Sequence, residues 1–374
     1  MKTVRFSDVA TRANTKEDRL NTDKKYYVGG EHIDSGEMKI VKRGVIAGST
    51  IGPMFYCGFK RGDILFVTRN PHLRKCGVVD FDGICSEKTF VIESKDKNVL
   101  MQEYLAIVMQ SNDFWNYCEE NKSGGVNYFL NWSTLAEYEF PLPSLAEQKV
   151  LAEKLWAAYE VKQSYLKMIA ATEEMVKAQF IEMFEGDKYP YSSLEDVSDE
   201  WLKGQPFKKE EIDEKGTLSC IHYGELFTKY GPIIEHVISK TNATPIRSSK
   251  IGDILFPASD VTPNGLTRCS MLSKKDVVLG GDIIILRPKK DYNARYLSCA
   301  INQQKSQLLK RVNGAVVKHL SAKGLKTVVI PIPPMDKQDE YVALYNQSDK
   351  SISELRKSVD AIDKVIKSLI NENL

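Results

Sequence analysis

The chain has no apolar stretch long enough to cross a membrane. Its best candidate among 374 residues, Val277 to Leu286, falls well short of the ~20 apolar residues that a spanning helix needs, and Asp282 interrupts it. The first residues, Met-Lys-Thr-Val-Arg, lack the apolar core of a secretion signal. Both absences predict a cytoplasmic protein.

Cysteine is scarce and follows no pattern. The chain has seven cysteines, an odd number, and no Cys-x-x-Cys motif. Neither a disulfide framework nor a zinc cage is therefore predicted, and reduced thiols are the simple interpretation. The positions are Cys57, Cys76, Cys85, Cys118, Cys220, Cys269 and Cys299.

Motifs that would carry catalysis are also missing. There is no Gly-x-x-x-x-Gly-Lys-Ser/Thr phosphate loop and no Gly-x-Ser-x-Gly elbow, and the five histidines lack metal-ligand spacing. Asp82 with Glu93-Ser94-Lys95 imitates a nuclease motif, but the second half of the chain has no equivalent. Asn70-Pro71-His72 lacks the second proline of an adenine methyltransferase loop. The sequence predicts a non-catalytic chain with no metal and no cofactor of its own.

An excess of either charge is likewise missing from the whole chain, whose formal net charge is +2. The charge is unevenly distributed: residues 1–143 are neutral, residues 191–333 carry +6, and residues 144–190 and 334–374 carry −2 each. Only one segment is thus biased toward a polyanion, and modestly. Charge alone does not predict a nucleic-acid partner.

The chain does contain an internal duplication. Gly62-Asp63-Ile64-Leu65-Phe66 recurs as Gly252-Asp253-Ile254-Leu255-Phe256, which is an offset of 252 − 62 = 190. Pro141-Leu142-Pro143 recurs as Pro331-Ile332-Pro333, again with 331 − 141 = 190. Gln148 and Gln338 keep the same spacing, as do Gly124 and Gly314. Several separated anchors at one spacing indicate a tandem repeat.

Each repeat combines a mixed domain with a long helix, so we predict an α+β fold. Strand-like runs occur at Tyr26-Tyr27-Val28, Asp63 to Thr68 and Thr89 to Ile92, with counterparts at Asp253 to Phe256 and Asp282 to Leu286. A short helix is predicted at Gln102 to Gln110 and again at Ala294 to Asn302. The predicted segments are a first domain at 1–143, a helix at 144–185, a second domain at 186–333 and a helix at 334–374.

The two long helices carry a heptad pattern. In the second copy an apolar seam follows a strict 3-4 alternation, and subtracting 190 gives a matching but more polar register in the first copy, with Lys162 at one seam position. No glycine or proline lies between Ser144 and Glu185, which leaves room for ~60 Å of helix at 1.5 Å per residue. A single amphipathic helix usually packs on its own domain, but equal length and register in both copies predict that these helices pair with each other as a coiled coil. The seam residues are Leu155, Tyr165, Ile169, Val176, Ile352, Leu355, Val359, Ile362, Ile366 and Leu369.

The chain resembles the specificity subunits of type I restriction-modification systems. The resemblance is carried by Phe140-Pro-Leu-Pro-Ser-Leu-Ala-Glu-Gln148, by Ile330-Pro-Ile-Pro-Pro-Met-Asp-Lys-Gln338 and by the two Gly-Asp-Ile-Leu-Phe motifs. It covers the whole chain and occurs twice. It implies two target-recognition domains held apart by two long helices that form an antiparallel coiled coil. Each domain would read one half of a split, asymmetric site on double-stranded DNA.

The resemblance also implies partners. Two methyltransferase subunits would dock on the helices, bring S-adenosylmethionine and methylate adenine, and motor–nuclease subunits driven by ATP with Mg²⁺ would complete a restriction complex. The residues agree with this view, since two unlike domains of similar framework fit a target that is not a palindrome. Acidic helices would be repelled by phosphates and are better suited to protein partners.

Sequence readout needs Arg, Lys, Asn, Gln or His on loops that enter a groove. The best such loop follows the Gly-Asp-Ile-Leu-Phe strand in each repeat, at residues 68–75 and 259–268, although a charged loop after a strand is often merely solvated. A second loop of each repeat, near residues 127 and 318, is a weaker candidate. The predicted DNA-binding residues are Arg69, Asn70, His72, Arg74, Lys75, Asn127, Tyr128, Thr262, Asn264, Arg268, Lys318 and His319. The alternative hypothesis is a coiled-coil scaffold whose repeats bind proteins, which the neutral first repeat favours.

Overall fold

The structure is a computed structural model, describes residues 2–247 and 249–373, and divides into two compact units. Unit 1 comprises Met1–Met168 with Glu354–Leu374, and unit 2 comprises Ile169–Ser353. The two longest helices are α5 (Leu145–Phe184) and α11 (Met335–Asn373). Each is divided between the units, so that one part of it belongs to unit 1 and the other part to unit 2.

Unit 1 contains eleven strands and four short helices among the described residues. The strands are β1 Lys2–Arg5, β2 Ala10–Ala13, β3 Tyr26–Val28, β4 Lys39–Ile40, β5 Gly44–Val45, β6 Phe55–Phe59, β7 Ile64–Val67, β8 Cys76–Val79, β9 Gly83–Ser86, β10 Thr89–Ser94 and β11 Glu139–Leu142. The helices are α1 (Phe6–Val9), α2 (Gln102–Val108), α3 (Asn112–Glu120) and α4 (Trp132–Ala136). The strands form a five-stranded sheet in the order β2-β10-β7-β8-β4 and a four-stranded sheet in the order β5-β3-β9-β6, while β1 pairs with β11.

Unit 2 repeats this plan. The strands are β12 Tyr191–Ser193, β13 Ser198–Lys203, β14 Leu218–Ile221, β15 Ile233–Ile234, β16 Lys240–Thr241, β17 Ile254–Pro257, β18 Ser259–Asp260, β19 Ser270–Leu272, β20 Val278–Leu279, β21 Ile283–Pro288, β22 Lys318–His319 and β23 Val329–Pro331. Its short helices are α6 (Leu194–Val197), α7 (Glu225–Thr228), α8 (Ala294–Gln303), α9 (Lys305–Leu309) and α10 (Ala322–Lys326). Its sheets have the orders β13-β21-β17-β19-β15 and β16-β14-β20, with the pairs β12-β23 and β18-β22.

The repeated Gly-Asp-Ile-Leu-Phe motif forms the middle strand of each five-stranded sheet. All residues of β7 and β17 are buried, as expected for a strand covered on both faces. Gly62 and Gly252 precede them with φ of +92° and +93°, a conformation that glycine adopts without strain. Asp63 and Asp253 each accept a hydrogen bond at 2.8 Å from the backbone N–H three residues earlier. The motif therefore encodes a turn followed by a central strand.

The Pro-x-Pro segments run in or directly after the strands that lead to the long helices. β11 pairs with β1, and β23 pairs with β12. Gln148 donates to the carbonyl of Pro143 at 3.0 Å and accepts from the N–H of Met101 at 2.9 Å. Gln338 makes the equivalent bond to the carbonyl of Pro333 at 2.8 Å. These buried glutamines satisfy backbone groups at the start of each helix, which explains why they keep the offset.

In unit 1 the first part of α5 packs with the last part of α11. Their contact is part of an apolar cluster to which the mixed domain also contributes, namely Met38, Ile107, Ala152, Leu155, Tyr159, Ile366 and Ile370. Lys162 is buried and bridges a glutamate of the domain to α11.

In unit 2 the last part of α5 packs with the first part of α11. Tyr341 lies between Phe180 and Phe184, with ring centroids 5.3 Å and 5.5 Å apart, and its hydroxyl donates to the carbonyl of Val176 at 3.4 Å. The helices thereby complete the core of the mixed domain. Across both units the ten predicted seam residues are all buried or half-buried: the buried ones are Leu155, Ile169, Val176, Val359 and Ile366, and the half-buried ones are Tyr165, Ile352, Leu355, Ile362 and Leu369.

Candidate nucleic-acid interface

Two loops of unit 1 are joined by a short backbone ladder. The first, residues 68–75, leaves β7, and the second, residues 122–130, leads into α4. Arg69 lies opposite Phe129, the N–H of Asn70 donates to the carbonyl of Tyr128 at 2.9 Å, and the N–H of Leu130 donates to the carbonyl of Thr68 at 2.9 Å. This ladder brings both predicted loops of the first repeat together, although the residues that pair lie far apart in sequence, 128 − 70 = 58 positions for Asn70 and Tyr128.

Unit 2 contains the same ladder 190 residues later. β18 and β22 pair so that Ser259 lies opposite His319 and Asp260 opposite Lys318. The N–H of Leu320 donates to the carbonyl of Ala258 at 2.9 Å. We call the two loops of each unit its paired loops: residues 68–75 with 122–130, and residues 258–268 with 312–320.

In unit 1 the loop at residues 68–75 has a strained backbone conformation. Asn70 and Arg74 flank a short 3-10 helix, Pro71–Leu73, and have φ of 52° and 47°. Residues with side chains rarely adopt positive φ, and such positions concentrate at binding sites. Unit 2 has a 3-10 helix at the corresponding place, Pro263–Leu266.

The second of the paired loops turns at a glycine. Gly124 and Gly314 have φ of +100° and +107°. A Cβ at either position would lie 2.5 Å from the carbonyl oxygen of Asn127 or 2.1 Å from that of Val317. Only glycine fits this turn, which explains why both repeats keep it.

The predicted side chains of unit 1 fall into two groups. Arg69, His72 and Asn127 are exposed on the paired loops. Three others are engaged: Arg74 donates to the side-chain oxygen of Asn112 at 3.0 Å, Lys75 donates to the carbonyl of Gly30, and the Lys122 ammonium lies 4.6 Å from the ring centroid of Tyr128. Asn70 is half-buried. The exposed group can reach a partner without breaking a contact.

The predicted side chains of unit 2 divide similarly. Thr262, Asn264 and His319 are exposed, and the Thr262 hydroxyl donates to the Asp260 carboxylate at 2.7 Å. Two cations donate to carbonyls of their own unit. Arg268 bonds Phe227 at 3.2 Å, while Lys318 bonds the turn itself at Gly314 and Ala315, at 2.7 Å and 2.9 Å.

The paired loops of unit 1 are positively charged, although residues 1–143 as a whole are neutral. They contain four Lys or Arg residues and no Asp or Glu. The paired loops of unit 2 contain Arg268, Lys318 and one acid, Asp260. Net charge per segment concealed this concentration, because sequence alone did not indicate which loops are adjacent. A cationic surface with exposed amide and imidazole groups suits a phosphate backbone and base edges.

The valines at the turns of the two second loops were not predicted as site residues. Val126 and Val316 lie at the turns of the second loops and have 93% and 84% of their surface exposed. Their spacing, 316 − 126 = 190, is the signal that could have found them.

The residues that imitate a nuclease motif do not share a site. Asp82 accepts from the N–H of Arg61 at 2.9 Å, Glu93 faces Lys60 at 3.8 Å, and Lys95 donates to the carbonyl of Ser7. Within residues 2–247 and 249–373 no group of three or more His, Cys, Asp or Glu side chains is positioned to hold a metal ion. Among the helices in these same ranges, none has the length and apolar character of a membrane span.

The chain is similar to known proteins along its whole length. The family model for the type I restriction modification DNA specificity domain matches residues 1–164 and 187–362. The EcoDI type I restriction enzyme specificity subunit of Escherichia coli is 25% identical over 194 residues, which cover 49% of this chain and 41% of that subunit. The match thus spans less than half of that relative. A protein assigned as the MjaX type I restriction enzyme specificity subunit of Methanocaldococcus jannaschii is 22% identical over 338 residues, 83% of this chain and 77% of that protein.

Solved structures share the fold. The type I restriction-modification S subunit from M. genitalium matches with a TM-score of 0.64 at 15% identity, over 100% of this chain and 96% of that one. A chain from a study of complex assembly and conformational transition of the type I system matches with a TM-score of 0.53 at 21% identity, over 100% and 98%.

Proposed function

Because the chain belongs to the type I restriction modification DNA specificity domain family, we propose that it is the DNA-reading subunit of a type I restriction-modification complex. The observation that carries this proposal is the backbone ladder that joins two polar loops in each unit. Each set of paired loops reads one half of a divided DNA site. The chain itself performs no catalysis, and it positions adenine methyltransferase subunits over the site that it reads.

The two half-sites differ in sequence. The loops after β7 and β17 share few residues: one exposes Arg69 and His72, the other Thr262 and Asn264. Guanidinium, imidazole, hydroxyl and amide groups select different base edges, so the target is asymmetric. The excess of cations in the paired loops of unit 1 binds phosphates and sets the salt dependence of binding.

The long helices serve as an antiparallel coiled-coil spacer. Contacts within each unit support an antiparallel arrangement of α5 and α11. In unit 1 Lys162 of α5 faces Asp363 of α11 at 2.9 Å, whereas earlier residues of α5, Ala146 to Lys154, line a groove with the later residues Leu369 and Asn373. In unit 2 Val176 of α5 faces Tyr341, near the start of α11. The spacer fixes the number of unread base pairs between the half-sites and offers its outer faces to two methyltransferase subunits.

The cofactors belong to the partner subunits. S-adenosylmethionine binds the methyltransferase subunits, and ATP with Mg²⁺ binds the motor–nuclease subunits of a complete restriction complex. The specificity subunit determines which site on double-stranded DNA the complex binds.

Duplex DNA binding at several salt concentrations tests the proposal. The purified chain, alone and with its co-expressed methyltransferase partner, is titrated with labelled random duplex in gel shifts. We expect an affinity that falls steeply with salt and strengthens when the partner is added. A coiled-coil scaffold would bind no DNA in either form, and that result would exclude the DNA-reading function.

Methylome sequencing tests whether each unit reads its own half-site independently. Exchange of residues 191–333 for the same region of a relative is expected to change one half-site and leave the other. Alteration of both halves would contradict independent reading.

The spacer is tested by insertion. One extra heptad in both helices should lengthen the unread spacer, whereas a heptad in α5 alone should break the pairing. An unchanged distance between methylated half-sites after matched insertion would exclude the spacer.

A further inference from the structure

The turn of the second loop presents an exposed valine in both units. The turn sequences, Ser-Gly-Gly-Val-Asn-Tyr at 123–128 and Asn-Gly-Ala-Val-Val-Lys at 313–318, share only the glycine and the valine. Val126 is 93% exposed and Val316 is 84% exposed. A valine side chain exposed to water contributes none of the stabilisation that its burial would give. The same apolar group in two otherwise different turns indicates a shared role.

The backbone holds each valine outward. Ser123 and Phe129 exchange two backbone hydrogen bonds at 2.8 Å and 2.9 Å, which close the loop around the turn. Asn313 and His319 exchange the equivalent pair at 3.0 Å and 2.7 Å. The positive φ of the glycine completes a tight turn, so the valine cannot fold back into the core without breaking this ladder.

The surroundings of the valines favour DNA over protein as the partner. In unit 1 the paired loops contain four Lys or Arg residues and no acid, and Asn127 is exposed beside Val126. Cations bind phosphates, an asparagine amide pairs with adenine, and small apolar groups contact the 5-methyl group of thymine in the major groove. Side chains that wedge between bases are mostly longer than valine, such as Phe, Leu, Ile and Met. A short, rigid valine fits contact with a methyl group.

We propose that Val126 and Val316 are specificity-determining residues that each contact a thymine 5-methyl group in the half-site read by their own unit. This inference rests on the proposed DNA-reading function. Each contact distinguishes thymine from cytosine, because cytosine offers no methyl group at that edge.

Replacement of single thymines by uracil tests the inference, since uracil keeps every hydrogen-bonding group and lacks only the methyl. Once methylome sequencing of the complex with its methyltransferase partner has given the target, duplexes with one uracil each are titrated against the wild type, Val126→Ser and Val316→Ser. For the wild type we expect one uracil in each half-site to weaken binding about fourfold. This factor corresponds to about 0.8 kcal/mol, the free energy gained by burying one methyl group. In Val126→Ser the penalty disappears from one half-site only, and in Val316→Ser from the other.

The controls separate the possible failures. Val41 is an exposed valine of unit 1 outside the paired loops, 65% exposed, and Val41→Ser should keep both uracil penalties. A wild type with no uracil penalty in either half-site, or a penalty that persists in Val126→Ser and Val316→Ser, would overturn the inference while leaving DNA reading intact. Loss of methyltransferase association in these variants with an unchanged uracil penalty would identify a protein contact and overturn it too. A wild type that binds no duplex at all would instead overturn the proposed function.

Discussion

The ammonium nitrogen of Lys162 lies 2.9 Å from a carboxylate oxygen of Asp363, which joins the two long helices inside unit 1. Lys162 occupies a predicted seam position and is only 8% exposed. A carboxylate oxygen of Glu37, from the mixed domain, lies 2.9 Å from the same nitrogen. A polar residue within an apolar seam specifies register at a cost in stability, because few alternative alignments supply its partners. Lys162 therefore fixes both helices against the domain.

Removal of this ammonium should destabilise unit 1. We expect Lys162→Met to lower the free energy of unfolding by about 2 kcal/mol, because two carboxylates then face one another without a cation. The loss is smaller than for a fully buried pair, since the side chains of Glu37 and Asp363 are 30% and 35% exposed. Urea denaturation measures it. The triple variant with Glu37→Gln and Asp363→Asn should recover most of the loss. The control is Lys167→Ala, at an exposed position on α5. An equal loss of stability in this control would contradict a specific role of Lys162.

The same site predicts a pH dependence. Burial disfavours the charged ammonium, but hydrogen bonds to Glu37 and Asp363 outweigh it, so the pKa of Lys162 lies above its ordinary value. A raised pKa contributes stability that is complete below the unfolded value of about 10.4 and is lost as the pH rises through the folded value. The stability difference between wild type and Lys162→Met should stay constant from pH 7 to about pH 10 and shrink above it. A difference that does not shrink above about pH 10 would exclude this linkage.

The buried aspartates of the repeated motif differ in their partners. Arg287 donates to both oxygens of Asp253, at 2.8 Å and 3.0 Å. The strand register puts Glu93 at the corresponding place in unit 1, because Ile92 pairs with Ile64 as Leu286 pairs with Ile254. Burial raises the pKa of Asp63, which has no such arginine beside it.

Substitutions at Arg287 and Glu93 should change the stability of their units in opposite directions. Arg287→Met leaves a buried carboxylate uncompensated and should cost about 3–5 kcal/mol in unit 2. Glu93→Arg supplies a guanidinium to Asp63, removes a neighbouring negative charge and should stabilise unit 1 by about 1 kcal/mol at neutral pH. Thermal unfolding at pH 7 measures both, and a destabilised Glu93→Arg would show that the guanidinium does not reach Asp63.

The glycine of the second loop is predicted to control DNA affinity. In Gly124→Ala the new Cβ would lie 2.5 Å from the carbonyl oxygen of Asn127, so the ladder to the first loop must shift. We expect duplex affinity to fall about tenfold, which corresponds to ~1.4 kcal/mol and lies within the ~1–3 kcal/mol that a strained backbone position costs. The unfolding of the domain core should change little.

The neighbouring glycine provides a matched control. A Cβ at Gly125 meets no atom within 4 Å, and unit 2 already has alanine at the corresponding position, Ala315. Gly125→Ala should bind DNA as the wild type does. Equal affinities of Gly124→Ala and Gly125→Ala would show that the turn geometry does not matter for binding.

One thiol is expected to react faster than the others. Cys57 is half-buried and lies opposite Cys85 in the β6–β9 pairing. A hydrogen bond from the Cys85 thiol lowers the pKa of Cys57 to about 7, and nearby Arg12 adds to the effect. Burial raises the pKa of the thiols Cys76, Cys118, Cys220, Cys269 and Cys299.

Alkylation of the folded protein by iodoacetamide should therefore start at Cys57, with a rate that rises about tenfold between pH 6 and pH 8. Peptide mapping by mass spectrometry identifies the labelled residue. Cys57→Ser should leave a protein that labels only after denaturation, and rapid labelling of that variant while folded would contradict the prediction.

The repeat and its local elements could be predicted from the sequence because their signals are local. The strands at Tyr26–Val28 and Ile64–Val67 and the helix at Gln102–Val108 follow from hydrophobic periodicity and turn residues within short windows. The same holds for α5, whose heptads extend without a breaker to Phe184.

The candidate site could be predicted only in part. The polarity of each loop was evident, but the exposure of Arg69 and the engagement of Arg74 by Asn112 depend on contacts between distant segments. The exposed valines carried a signal only in their offset, since a lone valine in a sequence normally indicates burial.

The sequence by itself determined that there are two similar domains, each followed by a long amphipathic helix, since periodicity and duplication are properties of the chain. The tertiary structure alone decided that Asn70 pairs with Tyr128, that Asp260 pairs with Lys318 and that Lys162 bridges Glu37 to Asp363. These pairings join segments between 58 and 201 positions apart, as 128 − 70 and 363 − 162 give. Each of these pairings depends on how whole sheets and helices pack, because the residues of one segment do not specify which distant segment lies beside it.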